Sequence, residues 1–278
     1  MPAATLRSRG RDASAAETSD RLRVHIVGCE RSGTTLLLEM MTAGFAIGGR
    51  CEREQSLFLD PPPGEGPWVS KKPLDILRLE TVFRRDPSLF ALYLVRDPRS
   101  VVASRHAARP ERYHSDFSTW SACERAARRL DGHPRFLRIR YERLVEAPDA
   151  VQDEIAKRLE FLHAKGLFSR FQETAAPSRG GLLALGGLRE PDRSRIEAWR
   201  GDLPRVKAEW LRHPELPRAL IEAGYETDES WLALLEGVAP APWSGSSRLR
   251  SGLRDLDRWI RYRVKSWQYL ARRSRRSR

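Results

Sequence analysis

Residues 24–35 read Val24-His25-Ile26-Val27-Gly28-Cys29-Glu30-Arg31-Ser32-Gly33-Thr34-Thr35 and run straight into an apolar stretch at 36–41. The first four residues are β-formers, the stretch after Thr35 suits a helix, and two glycines punctuate the join. The pattern predicts strand, glycine-bearing turn, helix. Gly28 and Gly33 have the G-x-x-x-x-G spacing of a phosphate loop. Glycines let a backbone turn tightly and approach an anion. The helix that follows presents unbonded N–H groups and the positive end of its dipole. Ser32, Thr34 and Thr35 add hydroxyl donors, and Arg31 adds a fixed charge. A nucleotide-kinase loop carries Lys where this chain has Thr34, which weakens a kinase reading. Taken alone, the segment is also compatible with an ordinary glycine turn before a core helix.

Working outward, residues 90–95 form a second β-rich run that ends at Arg96-Asp97-Pro98-Arg99. Pro98 stands where a helix begins, and Ser104 lies eight residues beyond Arg96, about two turns into that helix. Ligands of open parallel sheets bind at the carboxyl ends of strands. Arg96 and Ser104 are therefore placed to grip a second phosphate, Arg through planar bidentate contacts. A surface arginine and a plain helix serine are the alternative. Further strands are expected at 68–70 and 136–141, and helices at 74–85, 148–164, 192–200 and 203–223. Residues 61–67 and 175–190 read as loops. Strands alternating with helices imply parallel βαβ units. The expected fold is α/β, P-loop-like and three-layered, with a central parallel sheet flanked by helices.

The chain has 278 residues, 40% of them hydrophobic, enough for a substantial core. Lys and Arg outnumber Asp and Glu by 50 to 37, a formal net charge of +13. That balance suits an anionic ligand, nucleic acid or an anionic membrane surface. Three cysteines without a C-x-x-C speak against a disulfide framework or a cysteine zinc site. A reducing cytoplasm is the default, with peripheral membrane association as the variant. No run approaches the ~20 apolar residues of a membrane span. Residues 1–20 read as a disordered tail, 21–238 as the main domain, and 239–247 as a hinge. Residues 246–278 carry twelve Lys/Arg against two Asp. In them Leu249, Leu253, Leu256, Ile260, Val264, Trp267 and Leu270 recur at helical spacing. The stripe either packs on the domain or binds an anionic membrane or acidic acceptor. Nucleic acid ranks last, since no known binding module is present.

Together the two phosphate segments resemble the PAPS-dependent sulfotransferase superfamily, PAPS being 3′-phosphoadenosine 5′-phosphosulfate. Residues 30–36 resemble its 5′-phosphosulfate loop, and Arg96-Asp97-Pro98-Arg99 with Ser104 its 3′-phosphate motif. Arg140-Tyr141-Glu142-Arg143-Leu144-Val145 with Pro148 resembles its Y-E-x-L-V-x-x-P segment. Lys71-Lys72-Pro73 resembles its K-x-P, and residues 196–200 with Gly224-Tyr225 its later W-R and G-Y landmarks. The motifs keep family order over about residues 23–228 and look closest to the bacterial and tyrosylprotein-type branches. The resemblance implies transfer of a sulfuryl group from PAPS to a hydroxyl or amine acceptor, without a metal. Arg31, Ser32, Gly33, Thr34 and Thr35 would cradle the 5′-phosphosulfate. Arg96 and Ser104 would bind the 3′-phosphate, and Tyr141 would touch the nucleotide unless it is a core tyrosine. Lys71 would stabilise charge on the bridging oxygen. The general base falls on Glu54, with Glu52 in reserve, and Arg31, Lys71 and Glu54 form the catalytic set. Ser178 and Arg179 lie in a segment that would close over the cofactor. The acceptor would meet residues 45–68, 106–135 and 175–190. A small-molecule P-loop kinase and a non-catalytic nucleotide-binding protein are the competing readings.

Overall fold

A computed structural model describes residues 21–83, 85–106, 109–242 and 264–272. Its centre is a five-stranded, all-parallel sheet. In chain order the strands are β1 (Arg23–Gly28), β2 (Gly49–Arg50), β3 (Trp68–Lys71), β4 (Leu89–Val95) and, after a hairpin, β7 (Phe136–Arg140). Their spatial order is β2-β3-β1-β4-β7. Val27 registers with Tyr93 across β1 and β4, and Tyr93 with Arg138 across β4 and β7. β1 and β4 lie inside the sheet and are covered on both faces, which is why their sequences are nearly continuous apolar runs.

Helices cover the two faces. On one side pack α1 (Thr34–Gly44), α6 (Pro148–Arg158) and a 3₁₀ turn at Phe168–Glu173, burying Leu37, Met40, Ile155 and Phe168. On the other pack α2 (Ile76–Phe83), α4 (Phe117–Arg128), α8 (Leu203–Arg212) and α9 (Leu216–Glu222), around Tyr93, Phe117, Trp120 and Trp199. The expected three-layer, P-loop-like α/β architecture is what the chain adopts. His25, fully buried in β1, ties the layers together by bonding Ser70 Oγ at 2.7 Å and Asp75 Oδ2 at 3.3 Å.

Several local expectations change. Helix α3 spans only Pro98–Val102, so Ser104 stands just past its end rather than two turns inside it. Residues 106–135, expected as a variable acceptor loop, contain one strand of the β5 (Arg105–His106) and β6 (Arg109–Tyr113) hairpin and then all of α4. Asp116 caps α4 by accepting the Thr119 N–H at 2.8 Å, a start signal of the ordinary kind. The expected loop at 175–190 holds a short helix, α7 (Arg179–Leu185), capped by Ser178. The helix expected at 192–200 is two 3₁₀ turns, and that at 203–223 is α8 and α9 divided near His213-Pro214. The expected tail at 1–20 and most of 246–278 lie outside the described residues.

A helix at 264–272 closes the amino-terminal edge of β1. There Tyr269 is fully buried, and Arg23 donates to its hydroxyl at 2.5 Å. Both meet Asp86, whose carboxylate is fully buried and pairs with Arg23 at 2.5 Å. The expected stripe is rotated at this end. Val264 and Trp267 are 49% and 72% exposed, while Ser266 and Tyr269 face inward. Of the expected stripe, Leu270 alone among the described residues packs on the core, beside the polar triad. Among the described residues no helix is long and apolar enough to cross a membrane.

Candidate active site

The carboxyl ends of β1 and β4 and the amino end of α1 meet around a cavity of about 490 Å³. Arg31, Gly33, Thr34, Thr35, Glu54, Lys71, Arg96, Ser104 and Tyr141 all line it. Of the residues singled out in the sequence, Ser32 alone among the nucleotide set is absent from the wall. It is fully buried, and its hydroxyl and N–H both donate to the Cys29 carbonyl, at 2.7 and 3.2 Å. Ser32 therefore staples the turn instead of offering a donor to a ligand.

The loop needs its glycines for two different reasons. Gly33 has φ +97°, and a Cβ there would sit 2.5 Å from the Tyr141 ring. At Gly28 a Cβ would lie 2.5 Å from the Leu94 carbonyl oxygen, so β1 could not approach β4 as closely. Arg31, which is no glycine, also adopts a left-handed conformation, with φ +70°. This turn throws its side chain across the cavity, where Nε donates to Ser104 Oγ at 2.8 Å. Arg31 thus reaches the Ser104 end of the site.

Arg96 anchors the same corner. One of its terminal nitrogens donates to the Arg31 carbonyl at 3.1 Å and the other to the Arg195 carbonyl. Its guanidinium lies 4.1 Å over the Tyr141 ring, a favourable cation–π geometry. Tyr141, only 6% exposed, fills the space between Gly33 and Arg96. It is both a core tyrosine and part of the wall. Trp120 Nε1 bonds the Arg96 carbonyl at 2.9 Å, locking the backbone as well.

The electrostatics of this corner are lopsided. Among the described residues neither Arg31 nor Arg96 forms an ion pair with a carboxylate, and the buried Arg96 Nε has no hydrogen-bond partner. Burial, then the guanidinium groups of Arg96 and Arg195, pull the Arg31 pKa below its ordinary value. Three crowded cations constitute a site that an anion would relieve. Arg195 escaped the sequence reading because it ends a three-residue 3₁₀ turn, Arg193–Arg195, with no periodic or motif signal. By contrast, Arg99 is occupied elsewhere, with Asp97 at 2.7 Å and the rings of Trp199 and Trp231 at 4.1 and 4.8 Å.

At the opposite end stands a second group. Lys71 Nζ donates to Thr35 Oγ1 at 3.0 Å and approaches Glu54 Oε1 at 3.5 Å. Lys72 points away, to Asp75 at 3.7 Å. A wider cavity of about 1300 Å³ opens beyond this point, between α1, residues 50–54 and α7. Thr35, Lys71 and Glu54 border both cavities, whereas Glu52 borders only the wider one. Ser178 and Arg179 line the wider cavity and not the cation-rich one. The site thus joins an anion-binding corner, a Lys–Thr–Glu junction and an outer chamber.

No family model matches the sequence, and no curated protein matches it. Solved structures do match in shape. The sulfotransferase domain from the curacin biosynthetic pathway superposes with a TM-score of 0.51 at 17% identity, over 74% of this chain and 98% of that one. The sulfotransferase domain of the Synechococcus PCC 7002 olefin synthase gives 0.43 at 16% identity, over 65% and 88%. Retinol dehydratase, in complex with androsterone and the inactive cofactor PAP, gives 0.38 at 15% identity, over 80% and 82%. At 17% identity the likeness to the curacin-pathway domain speaks to architecture and not to substrate. With nearly all of the curacin-pathway domain accounted for by three quarters of this chain, the chain has the fold of a sulfotransferase domain.

Proposed function

We propose that the protein transfers a sulfuryl group from PAPS to a hydroxyl or amine acceptor and releases adenosine 3′,5′-bisphosphate. The observation that carries this reading is the corner of Arg31, Arg96 and Arg195, with Ser104 beside it. Arg31 and Arg96 have no carboxylate partner among the described residues, the buried Arg96 Nε has no hydrogen-bond partner, and Arg195, paired with Asp192 at 3.3 Å, adds its charge from the side; the corner fits an anion such as a 3′-phosphate. The glycine loop and the first turn of α1 fit a 5′-phosphosulfate, because helix-start N–H groups have no intrahelical partner.

The chemistry then divides among the chain's own residues. Glu54, or Glu52 in reserve, takes the acceptor's proton. The acceptor oxygen or nitrogen forms a bond to sulfur while the bond from sulfur to the 5′-phosphate oxygen breaks. Lys71 and Thr35 stand where negative charge grows on that departing oxygen, and the rest of the catalysis is positioning. A kinase acting on ATP would make no use of the Arg96 corner. Three buried thiols, Cys29, Cys51 and Cys123, suit the reducing cytoplasm that we place the protein in.

Calorimetric titration tests the reading. Adenosine 3′,5′-bisphosphate should bind far more tightly than AMP or ATP. A charge-assisted contact to phosphate contributes ~1.5–3 kcal/mol. Arg96→Ala should therefore weaken binding of the bisphosphate at least tenfold and leave AMP nearly unaffected. Equal affinity for the two nucleotides would remove the basis for PAPS as donor.

A further inference from the structure

The outer chamber carries information about the acceptor. Its floor is Glu39, a charged residue inside the apolar run of α1 and only 1% exposed. Glu39 Oε1 takes a hydrogen bond from Arg50 at 2.6 Å, and the other terminal nitrogen of Arg50 donates to the Ala176 carbonyl at 2.5 Å. Glu39 Oε2 is buried and has no hydrogen-bond partner among the described residues. Glu39 lines the chamber. A buried, unsatisfied carboxylate oxygen is expensive unless something donates to it. Burial, opposed by the Arg50 pair, accordingly pushes the Glu39 carboxyl above the usual range. The chamber floor therefore asks for an N–H or O–H donor.

The walls ask for something different. Leu38 backs the chamber, and Leu182, Leu183 and Ala184 of α7 roof it. Leu182 and Leu183 are 40% and 58% exposed, although leucines on a short helix gain most by being covered. Glycines at 180, 181, 186 and 187 keep the roof thin, and Gly181 lies over Glu39, with a notional Cβ 3.4 Å from Oε1. The charges around the chamber are mixed: Glu39, Glu52 and Glu54 stand among Arg50, Arg53, Lys71 and Arg179, so opposite signs nearly balance.

We infer that the acceptor is an uncharged amphipathic alcohol whose apolar body lies against Leu38, Leu182 and Leu183 and whose second O–H or N–H donates to Glu39 Oε2. This rests on the sulfotransferase reading. It makes Glu39 a specificity residue separate from the base at Glu54. A carboxylate or sulfate at that position has no proton to donate to Oε2, so carboxylated, sulfated and acidic-peptide acceptors would forgo this contact.

The experiment compares medium-chain alkane diols, the matching alkanols and the matching hydroxy-carboxylates as acceptors for PAPS, using the full chain. The diols should show at least tenfold higher kcat/KM than the alkanols, with the difference mainly in KM, and the hydroxy-carboxylates should be poorest. In Glu39→Leu the diol preference should vanish, while affinity for adenosine 3′,5′-bisphosphate stays within about twofold. Should that variant fail to fold, Leu183→Asp carries the test from an exposed position. It should cost diols and alkanols alike at least tenfold. Nucleotide binding in the wild type separates the two levels of failure. If adenosine 3′,5′-bisphosphate does not bind, the sulfotransferase reading and this inference both fall. If it binds and no neutral alcohol is sulfated, or carboxylates do as well as diols, or Glu39→Leu keeps the diol preference, or Leu183→Asp leaves diols and alkanols unaffected, only this inference is overturned.

Discussion

Glu54→Gln is expected to lower turnover by about 10²–10⁴, the usual loss when a general base can no longer accept a proton. The geometry singles out this carboxylate. Glu54 Oε1 lies 3.5 Å from Lys71 Nζ, and Lys71 is held to Thr35 in the first turn of α1. A base here borders the cation-rich cavity and the outer chamber at once, which on the proposed reading is where an acceptor hydroxyl would meet the sulfur. Glu52 borders only the outer chamber. The side chain of Glu54 is 49% exposed, so glutamine keeps its shape there with little effect on folding. Single-turnover kinetics with PAPS, alongside calorimetry with adenosine 3′,5′-bisphosphate, should show slowed chemistry and unchanged nucleotide affinity. If Glu52→Gln is the inactive variant instead, the proton goes to Glu52, and the junction with Lys71 has only an electrostatic role.

Tyr269→Ala should destabilise the protein by about 3–5 kcal/mol, the range for truncating a buried aromatic. The ring packs edge-on against Phe58, with centroids 6.1 Å apart, and beneath the Arg23 guanidinium at 5.5 Å. Its hydroxyl is shared between Arg23 and Asp86. Removing it leaves a cavity and a buried ion pair short of one partner, and a buried charge that loses a partner is costly. For a chain of this size the melting temperature should fall by roughly 10 °C. Nucleotide affinity of the folded fraction should be unchanged, because the triad lies at the opposite end of β1 from the loop. The same test addresses the basic carboxyl-terminal segment. A melting temperature that does not move would mean residues 264–272 are a detachable arm rather than part of the domain.

How much could be read in advance depended on range. The glycine loop, the strand ending at Arg96 and the Lys71-Lys72-Pro73 step are contiguous, so their spacing encodes their geometry. Elements decided by distant contacts did not show. Val264 and Trp267 fall on a regular apolar stripe, yet the buried Arg23–Asp86 pair recruits Tyr269 instead and turns the helix about its axis. Helix α7 was hidden because four glycines in eight residues, 180–187, outweigh its leucines in any propensity sum. Ser104 keeps its spacing from Arg96 but sits beyond a helix that stops at Val102. Arg195 comes to Arg96 across 99 residues of chain with no local pattern to announce it. Glu39 did leave a trace, as a lone acid in an apolar run, and a charge in such a place asks for a buried partner.

The left-handed turn at Arg31 bears on how this loop can vary between related chains. A non-glycine residue in that conformation costs about 1–2 kcal/mol, and glycine at position 31 would relieve it. Selection for thermal stability alone would favour the smaller residue. What arginine supplies there is a guanidinium set against Ser104 and crowded by Arg96, which no glycine can replace. On the proposed reading, drift toward glycine at this one position would mark descendants that had given up the anion and kept the scaffold.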